Sequence, residues 1–164
     1  MSRLLIKVTR RPWDQSQRPE HVPVDDVPAD CLNDLRVREN ELSLWHIEED
    51  EKNLNEVLTA LAAARDFPDK MDILLFDSSI IEKLSLKLRS TLGKTPRADA
   101  NAWHRDLVEL SGRKLIDFAI TVFYSAESRR VPESSIISLL KVAYDAGLLD
   151  KSMLKSDMVK KIGN

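Results

Sequence analysis

The chain has 164 residues, 43% of them hydrophobic, which suits one packed domain and excludes disorder of the whole. Its 25 basic and 27 acidic side chains leave a formal net charge of -2, so attraction to nucleic acid or a membrane surface could only be local. The single cysteine, Cys31, excludes an internal disulfide and a multi-thiolate metal site and fits a reducing, cytoplasmic setting, and no run approaches the about 18 apolar residues of a membrane span.

Leu4, Ile6 and Val8 alternate with Leu5, Lys7 and Thr9, which predicts an opening strand that ends by Arg11. The apolar part of this opening is too short for a secretory signal. From Pro12 to Asp30, four prolines and the lack of a period predict a long connection, with one short extended piece near Val22 to Val27. Leu35 to Val37 and Leu42 to Ile47 flank the turn-like Glu39-Asn40, which predicts a hairpin. Asn53 with Glu56 matches a capping box ahead of an apolar helical stripe from Leu54 to Ala62.

Ile73 to Phe76 carry no polar residue, so the strand from Met71 should be buried on both faces and paired on both edges. Ile81, Leu84, Leu88 and Leu92 recur at three- and four-residue steps, predicting a helix that ends at Gly93 as its C′ residue. Beyond a linker at 94–99, only helices are expected. One carries Trp103, Leu107 and Leu110, a second Leu115 to Phe123, a third runs from Pro132 to Ala146 with Gly147 as cap, and a last follows Asp150. The fold class is therefore α+β: a small mixed sheet of about four strands with two helices, over residues 1–97, followed by a helical subdomain of three or four helices over 98–164, the whole forming one compact unit.

No motif carries chemistry. Gly93-Lys94-Thr95 ends like a phosphate loop, but Leu88 stands where its first glycine belongs. Asp77-Ser78-Ser79, at the end of the buried strand, reads as an N-cap before it reads as a metal or anion site. His21, His46 and His104 have no metal-ligand spacing, and nothing in the spacing activates Cys31 as a nucleophile, so neither a metal, a cofactor nor a catalytic residue is assigned.

Arg97, Asn101 and His104 faintly resemble the RxxxxH-type motif of helical RNases of the HEPN class, whose basic pair handles a scissile phosphate. The pattern departs from that family because Arg97 follows Pro96 in a linker and the rest of the motif is absent, so a surface histidine beside Trp103 is the preferred reading.

Two basic sets are candidates for nucleic-acid contacts. Lys83, Lys87, Arg89, Lys94 and Arg97 fall in a stretch without an acidic residue, with Lys83 and Lys87 one helical turn apart. The segment Val142 to Val159 loosely resembles a helix-turn-helix through Ala143, Gly147, Leu148 and Met153, and its second helix, continued past Val159, would present Lys151, Lys155 and Lys160. No aromatic interleaves with the first set, so base stacking is not implied there, and the second offers no arginine or asparagine for bidentate base reading.

The leading expectation is a non-catalytic cytoplasmic binding or assembly subunit, of adaptor, immunity or defence-accessory type, whose partner is another protein. The alternative is a nucleic-acid-associated regulator using the C-terminal hairpin, and the third is a hydrolase or nuclease around Asp77 or His104. Partner identity and oligomeric state are not legible in the sequence.

Overall fold

The computed structural model describes residues 2–163. Six antiparallel strands form one sheet: β1 (Arg3–Val8), β2 (Leu42–Ile47), β3 (Met71–Asp77), β4 (Lys87–Ser90), β5 (His104–Val108) and β6 (Glu127–Val131), in the order β4-β5-β2-β1-β3-β6. Helices α1 (Ala29–Asp34), α3 (Ser79–Lys83) and α4 (Gly112–Ser125) contribute to the core on one face, and α2 (Leu54–Ala63), α5 (Glu133–Asp145) and α6 (Ser156–Ile162) to the core on the other.

The central strands behave as their composition predicts. β3 lies between β1 and β6 and places Leu74 and Phe76 in one core and Ile73 and Leu75 in the other. Phe76 meets Phe118 of α4 edge-to-face, with centroids 5.6 Å apart. α4 starts at Ser111, whose hydroxyl accepts from the Lys114 amide, and α5 ends where Gly147 takes a φ of 69° and Leu148 N–H bonds the Ala143 carbonyl.

Several expectations need correction. The sheet is wholly antiparallel rather than mixed and has six strands rather than about four, because residues 98–164, expected to be purely helical, supply β5 and β6. β6, ESRRV, is an edge strand, and its polar sequence suits that position while hiding it from a search for apolar runs. The expected helix around Trp103 and Leu107 is a 3-10 turn (Ala100–Trp103) leading into β5.

The helix expected from Ile81 to Leu92 stops at Lys83, since Ser85 adopts a φ of 50° and the chain turns out into β4. Leu84, Leu86, Leu88 and Leu92 recur at even as well as helical spacing, so pairing with β5 decided between two readings of one pattern. Gly93 is therefore not a helix cap. Its backbone lies so close to Asn101 and Trp45 that an added Cβ would meet Asn101 Oδ1 at 2.8 Å and the Trp45 ring at 3.1 Å.

The early connection holds 3-10 turns (Arg11–Trp13, Gln15–Gln17) and the unforeseen α1, and Val22 to Val27 form turns instead of an extended piece. Leu35 to Val37 form no strand. A bridge between Arg38 and Glu41 closes a two-residue turn, in which Glu39 and Asn40 both have positive φ. Asn53 makes no capping-box bond. Its buried side chain accepts from Glu48 N and donates to the His46 carbonyl, tying β2 to α2.

Candidate functional site

Strand alternation creates an unevenly covered sheet face. Leu42, Leu44 and Leu107 enter the core with α1 and α4, so their neighbours Ser43, Trp45, His104 and Asp106 project on the opposite side. On that side α2, α5 and α6 build a core with β1, β2 and β3 to which neither β4 nor β5 contributes a residue. The β2-β5-β4 end is left as an open, polar surface.

Ser43, Asp106 and Arg89 face one another across three strands, and Trp45 pairs with His104 one step along. Asp106 accepts from the hydroxyls of Thr91 at 2.7 Å and Ser43 at 3.1 Å. The Thr91 hydroxyl has one proton and gives it to Asp106, which leaves its oxygen to accept from His104 Nδ1 at 2.8 Å. His104 stacks edge-on to Trp45, with centroids 5.2 Å apart. Burial holds its pKa below the ordinary histidine value, Asp106 opposing and Arg105 adding to the shift, so the ring is neutral at pH 7.

This cluster is not a nucleophile-base pair. Ser43 bonds Asp106 and not the imidazole, and Thr91 is the donor to the carboxylate, so His104 holds no hydroxyl proton ready for abstraction.

Two depressions of about 380 and 570 Å³ adjoin on this surface and share Arg36, Arg38 and Ser43. Lys7 and Thr9 line the first, and Thr91, Lys94, His104 and Asp106 the second. Among the described residues Lys7, Arg36, Arg38 and Lys94 form no ion pair. The Lys7 ammonium is held below its usual range by partial burial, then by Arg65 and Arg36, with Asp34 opposing. Asp34 is itself committed, accepting from Thr9 N, Thr9 Oγ1 and Trp13 Nε1.

Of the eight basic residues singled out in the sequence, only Lys94 lines these depressions. Lys83 ends α3 in solvent, and Lys87 and Arg89 lie on β4, bonded to Glu109 and Glu41, so the expected helical face of Lys83 and Lys87 does not exist. Arg97 is buried, 8% exposed, and paired with Asp99. Lys151 covers the Tyr144 ring at 4.2 Å, Lys160 pairs with Asp157 at 2.9 Å, and Lys155 stands exposed before α6.

The helix-turn-helix likeness gives way as well. α6 begins at Ser156, separated from α5 by residues 146–155 with a 3-10 turn (Lys151–Met153) between, and buries Met158 and Ile162. The HEPN likeness loses its helical frame, since His104 stands on a strand.

Asp77 accepts from Ser79 N, the first amide of α3, at 2.7 Å, and its hydrogen bonds to Ser79 lower its pKa, while Ser78 at the N-cap position makes no side-chain capping bond. Cys31 is buried with its thiol directed at the Pro12 carbonyl, and burial with Asp34 and Asp30 nearby pushes its pKa up to about 12, the opposite of an activated nucleophile. No cluster of metal-ligating side chains exists among the described residues, and no described helix is long and apolar enough to cross a membrane.

The missed groove residues are Lys7, Arg36, Arg38, Ser43, Thr91 and Asp106. The only signal for them was a lysine on the β1 face opposite Ile6 and Val8, and a pair of arginines two apart before the Glu39-Asn40 turn. Comparison with protein-family models, curated proteins and solved structures finds no match.

Proposed function

We propose that the chain is a non-catalytic binding subunit that holds an acidic segment of a partner protein over the open end of its sheet. One observation carries this reading: Lys7, Arg36 and Arg38 line the first depression against a single carboxylate, Asp34, and form no ion pair among the described residues, in a chain whose net charge is -2. The excess of cations lies in the first depression, where Asp34 alone of the described residues opposes them, whereas Glu39, Glu41 and Asp106 offset the cations of the second. Such an excess in a concave surface focuses a positive potential that favours an anionic occupant. An adaptor, immunity or defence-accessory role in the cytoplasm is compatible with such a subunit.

Nucleic acid is the weaker reading. The groove aromatic, Trp45, is 5% exposed and offers no stacking platform. Lys151 and Lys160, expected on a recognition helix, already engage Tyr144 and Asp157.

The test is fluorescence anisotropy of a labelled polyglutamate peptide and of mixed-sequence duplex and single-stranded oligonucleotides, at about 50 and 200 mM salt. Peptide binding that weakens with salt and is abolished in the Arg36→Glu, Arg38→Glu variant is the expected result. Micromolar oligonucleotide binding lost in a Lys151, Lys155, Lys160 triple alanine variant would transfer the assignment to nucleic acid.

A further inference from the structure

We infer that the depression between β1 and the 36–38 segment is a receptor for one compact phosphoryl dianion, carried on a phosphorylated side chain of the partner. This rests on the groove being the surface for an acidic protein segment, and it names the group that the segment presents. Lys7 comes from a strand and Arg36 and Arg38 from the turn region after α1, yet all three line one cavity of about 380 Å³. Their charge is only partly offset from within, because Asp34 is the one carboxylate among the described residues lining this cavity, and three cations against it leave a net charge of +2. Asp34, the carboxylate in the same cavity, spends both oxygens on Thr9 and Trp13, accepting at 2.6, 2.8 and 2.9 Å, while Arg65 is held by Asp69 and two carbonyls.

The arrangement selects among anions. A nucleic-acid strand carries one charge per about 3.4 Å and is matched by cations spaced along a stripe. Three cations gathered at one cavity instead match a single group of charge near -2, and guanidinium forks suit the oxygens of a phosphomonoester. A glutamate carboxylate offers half the charge and fewer acceptors.

Arg36 also keeps a backbone φ of 32°, in the left-handed region that glycine occupies without steric cost. A side chain retained there supplies a clean probe, because Arg36→Gly removes the guanidinium without opposing the backbone.

The experiment uses the full chain with a peptide library degenerate around one phosphoserine, the same library unphosphorylated, and inorganic phosphate as competitor, read by anisotropy and amide chemical shifts. The phosphorylated library should bind roughly tenfold tighter or better, phosphate should displace it while shifting amides near Lys7 and Arg36, and Lys7→Ala and Arg36→Gly should each cost about tenfold with the thermal midpoint maintained or raised. Equal affinity for the two libraries would overturn the dianion receptor while leaving the acidic-segment reading standing. Retention of phosphopeptide binding in both variants would overturn this location, and preference for an oligonucleotide would overturn both readings.

Discussion

Arg129 holds Glu51 with both guanidinium arms, Nη1 to Oε2 and Nη2 to Oε1, each at 2.6 Å, across 78 residues of chain. Arg3 bonds the same Glu51 and also Glu127 at 2.8 Å, and Arg129 Nε reaches Glu127. Four charges thus pin the edge strand β6 to β1 and to a 3-10 turn (Glu49–Glu51) before α2, at a sheet edge otherwise open to unwanted pairing.

The network should make the fold acid-sensitive. Hydrogen bonds from Arg129 and then Arg3 lower the Glu127 pKa from 4.5 to about 2, and Glu51 is lowered chiefly by Arg129. A depressed carboxylate contributes stability that is present above its unfolded pKa and lost as pH falls through the folded one. Thermal midpoints followed by circular dichroism should therefore decline between pH 4.5 and about 2, and Glu127→Gln should flatten part of that decline.

Leu75 is 0% exposed on β3, between β1 and β6. Leu75→Ala should cost about 2 to 5 kcal/mol through lost transfer energy and a cavity. A urea midpoint equal to that of the wild type would contradict the interior placement of this strand.

The N-terminal connection is anchored by the Trp13 Nε1 bond to Asp34 Oδ2 at 2.9 Å, with Trp13 buried in the core. Asp34→Ala leaves the indole N–H and the Thr9 groups without their acceptor, at a cost of roughly 1 to 3 kcal/mol. Hydrogen exchange should accelerate over residues 9–17 in the variant. In the wild type, residues 18–26 should exchange faster than 9–17, because they rest on turn bonds and little else.

The Cys31 thiol, with its pKa raised to about 12, should be inert to thiol reagents in the folded protein up to pH 9 and react only as denaturant unfolds it. Reaction at the rate of a free thiol under native conditions would place Cys31 outside the core.

Elements whose burial pattern repeats over many residues were legible without a structure. β1, β3, α2, α4 and α5 all lie where their periods put them, because an apolar stripe or run can be satisfied by only one backbone geometry. Short elements were ambiguous. The leucines from 84 to 92 suit two periods at once, and HRDLV and ESRRV become strands only because β2, β4 and β3 offer them hydrogen-bonding partners.

Composition, charge and the amphipathic segments determined that this chain builds a layered α and β core and lacks a recognisable catalytic motif. Only the tertiary structure decided which cations are free. Sequence proximity grouped Lys83 to Arg97, whereas folding paired Lys87 and Arg89 with Glu109 and Glu41 and buried Arg97 against Asp99. It brought Lys7, Arg36, Arg38 and Lys94 to one uncovered end of the sheet instead, because charge pairing and strand register depend on contacts between residues tens of positions apart.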